Sequence, residues 1–370
     1  MKIVDIELQS ESPAVRTAGV HPADRFRGSV TLRVHTDSGL SGIGEALEGE
    51  YGTVEAIEAA LGACADVLIG TDGGNLNRIH AGLDRIPDLP KSARAAVDLA
   101  IHDLIGRARG VPAYSVLGGG YRTDFDVQVT LPGGSPQEVA RAAERLSRAG
   151  VSSVKLHMGP FWGQPDMDEA RQRVLAVLAA VGPNTRVDLA AHGAWSSVGT
   201  ARAFLSTMLD RALAGHLAVV QPLHAFDLAG HAELRRALPL PIVLEEAVVS
   251  ATAMARILEL GAADRIVLDI HRVGGLAEAR RIADLCEAAS IDVSVGGSAG
   301  TALSTLAHAH LAASVRDPLP LFAPIGRDPG VTSAPGHFVW TQGHLSLGGR
   351  PGLGVLIESD THDLQSPEKT

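Results

Sequence analysis

The chain opens on alternation. From Ile3 to Leu8 apolar and polar residues take turns, and Val30 to Val34 does the same into Asp37-Ser38-Gly39, a turn signature. Leu40 to Glu45 then reads as a returning strand, so a hairpin is expected. The period next lengthens. Gly52 to Leu68 and Lys91 to Arg109 are Ala-rich, with apolar residues three and four apart, which predicts two helices. Gly110-Val111-Pro112 ends the second, glycine at the terminus and proline just past it.

From about Phe125 the pattern becomes short apolar runs separated by Ala/Leu/Arg-rich stretches. Strands are predicted near Val127–Val129, Val154–His157, Val187–Ala190, Ala218–Gln221, Ile242–Glu245, Ile266–Ile270, Val293–Val295 and Pro320–Phe322. Their spacing, roughly 24 to 33 residues, is that of successive βα units. Such regular units argue for a closed parallel barrel. An open doubly wound sheet would compete, but no GxGxxG follows a first strand. After Ala323 the chain turns Gly/Pro-rich and strand-like through Gly348-Gly349-Arg350-Pro351-Gly352-Leu353-Gly354. We expect an N-terminal α+β capping domain over residues 1–122, a (β/α)-barrel over 123–325, and a segment from 326 to 370 that returns to the cap.

Composition narrows the function classes. A chain of 370 residues with 45% hydrophobic content can fill a barrel core and an accessory core. The formal net charge is -10 and no Lys/Arg run stands out, which argues against nucleic acid or an anionic membrane as partner. No stretch of about 18 apolar residues is present, and the first ten residues do not read as a secretory signal. The 2 cysteines, Cys64 and Cys286, fall in predicted helices and read as buried thiols. A soluble, cytoplasmic protein acting on a small molecule is the expectation.

Several segments together resemble one family, the mandelate racemase and muconate-lactonising branch of the enolase superfamily. Thr36 to Ala46 is similar to its capping hairpin, and Ala95 to Leu104 to the helix before its barrel. Gly110-Val111-Pro112 and Leu117-Gly118-Gly119 follow in order, then His271-Arg272-Val273-Gly274-Gly275-Leu276 and Pro351-Gly352-Leu353-Gly354. The resemblance covers nearly the whole chain. It implies a (β/α)7β-type TIM barrel capped by an α+β domain, an acid–base lyase or isomerase, and a homo-oligomer. Its active site would lie at the C-terminal ends of the barrel strands.

The resemblance also implies a shared step, in which a base removes a proton beside a carboxylate. The enolate is then held by Mg²⁺ on three carboxylates from successive strand ends. Position by position, this chain departs from that pattern. The second barrel strand carries Lys155 where the family has its first lysine, and His157 where it has the second, the usual base. Alternation turns both toward the interior. Histidine suits base work at neutral pH, although a barrel-mouth histidine without chemistry fits the same pattern. In the third strand the metal-ligand Asp falls on Ala190 and the following Asn on His192. His192 reads as an acid or as a hydrogen-bonded mouth residue. A two-residue insertion would make Asp188 the ligand instead. In the fourth strand the ligand Glu falls on Val220, and His224 reads as a surface loop residue.

The fifth strand keeps a carboxylate, Glu245, as metal ligand or as partner of a neighbouring Lys or Arg, with Glu246 either supporting it from behind or facing the substrate. Asp269 after the sixth strand either moves protons or balances Lys155. The seventh strand end lacks histidine; Gly297 and Ser298 there leave room for substrate or offer N–H groups to an oxyanion. Trp162 would form an apolar wall or pack against the cap, and Arg16, His21, Arg25 and Arg27 of the capping loop would meet an anionic substrate or lie in a solvated loop. With two of three ligand positions apolar, a metal-independent or weakly Mg²⁺-dependent enzyme is expected, with no cofactor required. A Mg²⁺ enzyme with shifted ligands and a non-catalytic binding descendant are the alternatives.

Overall fold

The computed structural model describes residues 1–11, 28–49, 52–158, 166–209, 216–297, 300–323, 338–341 and 343–355. The cap begins with β1 (Ile3–Glu11), β2 (Ser29–Thr36) and β3 (Ser41–Leu47), paired antiparallel in that order. Helices α1 (Val54–Leu68), α2 (Leu76–Leu83), α3 (Lys91–Arg109) and the short α4 (Ala113–Val116) follow. Val30, Leu32 and Val34 on one face of β2 pack with Ile57, Leu61 and Ile101 of the helices, as a period of two against a period of 3.6 requires. On β3 the apolar face is made by glycine. A Cβ on Gly42 would lie 2.1 Å from the Ala100 carbonyl oxygen, and one on Gly44 1.9 Å from that of Ala96. Strand and helix backbones therefore touch. Helix α3 stops where the sequence says it should: Gly110 adopts φ +66, and its N–H caps the last turn.

The barrel strands are β4 (Asp124–Thr130), β5 (Ser153–His157), β6 (Arg186–Ala190), β7 (Leu217–Val220), β8 (Ile242–Leu244), β9 (Arg265–Leu268), β10 (Asp292–Val295) and β11 (Leu321–Ala323). Neighbours from β4 to β10 pair in parallel in chain order, and β11 pairs with β4. A parallel bridge from Ser294 to Leu319 links β10 to the approach to β11, so the ring is nearly closed. Between the strands run α5 (Pro136–Arg148), α6 (Met167–Ala180), α7 (Val198–Leu209), α8 (Leu228–Ala237), α9 (Ala251–Leu260), the single turn α10 (Ile270–Val273), α11 (Leu276–Ala289) and α12 (Ala302–Ser314). Outward strand residues such as Val154, Leu189 and Leu268 pack on these helices. A separate apolar cluster of Ala190, Ala218, Val220, Val243 and Val267 fills one side of the interior.

The chain ends with β12 (Phe338–Thr341) and β13 (His344–Leu347), a hairpin whose second strand pairs antiparallel with β4. Beyond it the Leu353 N–H donates to Asp103 of α3, and Gly352 bridges Pro112. The tail thus touches barrel and cap in turn.

Cap and barrel are joined by buried carboxylates. Asp98 of α3 accepts the Leu276 and Ala277 N–H groups at the start of α11, the place where a helix welcomes negative charge. His80 Nε2 is 2.8 Å from its other oxygen, and His102 Nδ1 3.3 Å from the first. Burial would raise the Asp98 carboxyl, but these two histidines hold it well below the usual carboxylate range. Asp98 in turn raises His102 against the effect of burial. Glu45 of β3 accepts from Ser304 and Thr301 of the α12 region, and burial pushes its carboxyl up.

Candidate active site

Strand β5 pairs with β6 without a break, from Ser153 opposite Arg186 to His157 opposite Ala190. Alternation then sends Lys155 and His157 into the barrel, as the sequence predicts. The Lys155 ammonium donates to Glu245 Oε2 at 2.7 Å and lies 5.0 Å over the Phe322 ring. Glu245 follows the last residue of β8, and its backbone is fixed by a side chain the sequence reading passed over. Gln221, at φ +45, accepts the N–H groups of Glu245 and Ala247 on its Oε1, and its amide donates to the Leu223 carbonyl. Its signal was a polar residue between a buried strand and a proline.

His192 also sits at positive φ, +50, with Gly193 at +71 after it. A non-glycine residue in that region is uncommon and points to an imposed conformation. Here it turns the ring back over the end of β5. His192 Nε2 is 2.8 Å from His157 Nδ1, and His192 Nδ1 is 2.6 Å from Glu246 Oε1. Three side chains from three strand ends thus form one hydrogen-bonded line. Burial would raise Glu246, but His192, with help from Arg272 and Lys155, holds its carboxyl at about 2. Burial would lower His192, yet Glu246 wins and raises it. The line is therefore an imidazole pair anchored on a carboxylate.

The other predicted residues fall elsewhere. Asp269 caps α10: its Oδ1 accepts the His271 N–H at 2.9 Å and lies 3.5 Å from His308 Nε2. Burial opposes it, but His308, His271 and Arg272 keep its carboxyl far below the usual range. Lys155, which Asp269 was expected to balance, pairs with Glu245. Asp188 accepts from Gln128 at 2.7 Å, beside Ser153, Arg186 and Arg265, while Glu245 holds Lys155. The glycines at the end of β10 let neighbouring side chains approach closely. A Cβ on Gly296 would meet Phe322 at 2.3 Å, and one on Gly297 would meet Asp269 Oδ2 at 2.3 Å. Trp162, Ser298 and the arginines of the capping loop lie outside the described residues.

The positions that the resemblance assigns to metal ligands are Ala190, Val220 and Glu245. Two of them belong to the apolar cluster inside the barrel, and the third is paired with an ammonium group. Among the described residues no group of three or more His, Cys, Asp or Glu side chains is placed to hold a metal ion. Mg²⁺ prefers oxygen ligands in near-ideal octahedral array, and this donor set does not fit it.

A capped (β/α)7β barrel with its acid–base groups at the C-terminal strand ends is the architecture of the enolase superfamily. The chain belongs to that superfamily's mandelate racemase and muconate lactonizing enzyme family. The family's N-terminal domain model matches residues 9–118, and the enolase C-terminal domain-like model matches residues 138–361. An N-succinyl-L-Arg/Lys racemase from Bacillus cereus is 27% identical over 342 residues, 90% of this chain and 89% of the racemase. The substrate-liganded L-Ala-D/L-Glu epimerase from Bacillus subtilis superposes with a TM-score of 0.86 at 28% identity, over 96% of this chain and 99% of that one. A dipeptide epimerase from Enterococcus faecalis complexed with Mg and L-Leu-L-Tyr superposes at 0.84 with 25% identity, over 96% and 99%. Cycloisomerases and dehydratases are also among the relatives. The chain is thus an enzyme of an isomerase and lyase family. With a Mg-complexed relative among the matches, Mg²⁺ is plausible for this chain, and the expectation that no cofactor is needed is not supported. No helix among the described residues is long and apolar enough to cross a membrane.

Proposed function

We propose that the chain is an acid–base isomerase or lyase acting on a small carbonyl or carboxylate compound, with proton abstraction run by a histidine relay rather than by a metal-held enolate. The observation that carries this reading is the line His157–His192–Glu246.

The line has two proton states. In one, His192 holds both ring protons, donating Nδ1–H to Glu246 and Nε2–H to His157 Nδ1. Neutral His157 then keeps its own proton on Nε2. In the other, with one proton fewer, His157 donates Nδ1–H to His192, and His157 Nε2 presents a lone pair. A proton taken from substrate carbon at Nε2 converts the second state into the first when the Nδ1 proton shifts across the 2.8 Å contact. The positive charge comes to rest on His192, beside Glu246, away from the substrate. Such placement of charge in a dry site is what general-base catalysis needs. The Lys155 ammonium, which donates to Glu245, supplies positive charge that would favour the developing anion.

The Mg-complexed relative favours a second reading, a Mg²⁺ enzyme of the ordinary kind. One experiment separates the two. Carbon-bound proton exchange in ²H₂O is followed by NMR over a panel holding L-Ala-L-Glu, 2-oxobutanoate and 2-oxoglutarate, with EDTA or with Mg²⁺. The relay predicts exchange that survives EDTA and falls about 100-fold or more in His157→Gln. Exchange seen only with Mg²⁺, or untouched by His157→Gln, refutes it.

A further inference from the structure

An imidazole is aimed by the backbone that carries it. His157 is the last residue of β5, and the peptide that follows it is held from two sides. The Met158 N–H donates to the Ala190 carbonyl of β6 at 2.9 Å. The His157 carbonyl accepts from Nη2 of Arg173 at 2.7 Å. The first bond belongs to the neighbouring strand; the second comes from outside the sheet. It fixes the turn of the His157 carbonyl at the place where the ladder stops supplying partners.

Arg173 lies midway along α6, whose Ala170, Val174 and Val177 are buried against the barrel. Positions 170, 173 and 177 share one helix face, so the arginine stands in a row that is otherwise small or aliphatic. Helix side chains lean toward the helix N-terminus. In a βα unit that end adjoins the C-terminal end of the preceding strand, so the lean carries the guanidinium to His157. The setting does not favour a cation. Burial pulls its pKa down, with Glu169 opposing, and its Nε is buried without a partner among the described residues. An apolar side chain would leave no such donor unpaired, so stability alone gives no reason for arginine here.

We propose that Arg173 is a positioning residue for His157, which by holding the carbonyl sets the angle at which the ring meets His192. The inference rests on the acid–base reading above and extends the relay's frame to a helix outside the barrel. No proton passes through Arg173; its task is geometric. Without it the His157–Met158 peptide turns, and the 2.8 Å contact between His157 Nδ1 and His192 Nε2 loosens.

Arg173→Met keeps the length of the side chain and removes the donor, while Arg173→Ala leaves room for an added guanidinium ion. Arg171→Met, at an exposed position on the same helix, is the control. In full-length protein carrying ¹⁵N-histidine, long-range ¹H–¹⁵N spectra report the bond between the two rings without any substrate. With a panel compound that the parent exchanges, kcat and KM are measured as well. The ring-nitrogen shifts of both histidines should move in Arg173→Met, and kcat should fall about 10- to 100-fold with KM changed less than about threefold. Guanidinium at a non-denaturing concentration should restore part of the kcat of Arg173→Ala, and Arg171→Met should match the parent. Parent-like ring shifts and kcat in Arg173→Met overturn the inference and leave the acid–base reading standing. A loss of kcat that guanidinium does not restore, with a lowered urea midpoint, overturns it too, because it marks a purely structural role. If the parent exchanges no panel compound, the acid–base reading fails by itself, and the ring shifts still decide whether Arg173 sets the geometry of the pair.

Discussion

Asp98→Asn isolates the charge that ties the cap to the barrel. Asparagine keeps an oxygen for the Leu276 N–H, so the start of α11 stays capped, while the contacts to His80 and His102 lose their anion. Asp98 and His102 are both buried, and removing one partner of a buried pair costs about 3–5 kcal/mol. The pH dependence follows from the two shifts. The Asp98 carboxyl lies below its ordinary 3.8, so its contribution is complete above that value and fades as pH falls through the folded one. His102 lies above its ordinary 6.5, so its contribution is complete below 6.5 and fades as pH rises through the folded value. The gap between parent and variant should be widest from roughly pH 4 to 6.5 and narrow on either side. Urea unfolding of both proteins at about pH 5.5 and about pH 8.5 measures it. A gap below about 1 kcal/mol at the lower pH, or a larger one at the higher pH, refutes the reasoning.

Titration calorimetry should show no saturable Mg²⁺ binding by the parent below about 1 mM, and Ala190→Asp combined with Val220→Glu should create it; tight binding by the parent would place its ligands elsewhere. Gly44→Ala should cost about 1–3 kcal/mol or more, since its Cβ falls 1.9 Å from the Ala96 carbonyl oxygen. An unchanged urea midpoint would mean that α3 can move away from β3.

Most of the architecture was legible because it rests on period and spacing. The helix expected over Lys91–Arg109 has those ends, and each barrel strand falls where an apolar run was read. Ile270 is an instructive exception. The sequence continues apolar, but Asp269 caps a helical turn there and ends the strand. The facing of Lys155 and His157 was also readable, because alternation decides it. The relay was not. Its members come from three strand ends, and it depends on His192 taking a positive φ that no local residue announces. Gln221 was hidden for the same reason, since its partners lie across a strand boundary at 245 and 247. Asp98 did leave a trace, a carboxylate inside the otherwise apolar Ala95-Ala96-Val97-Asp98-Leu99-Ala100, but nothing in the chain said which element it would meet.

The contact between β3 and α3 bears on how rigid the cap is. Where two backbones meet with no side chain between them, there is nothing to slide on and no soft layer to shear. Helix α3 is itself buried along most of its length and stitched to α11 and to the tail. Strand and helix of the cap are thus one rigid piece, and the Asp98 carboxylate on the N-terminus of α11 fastens that piece to the barrel helices that follow the catalytic strand ends.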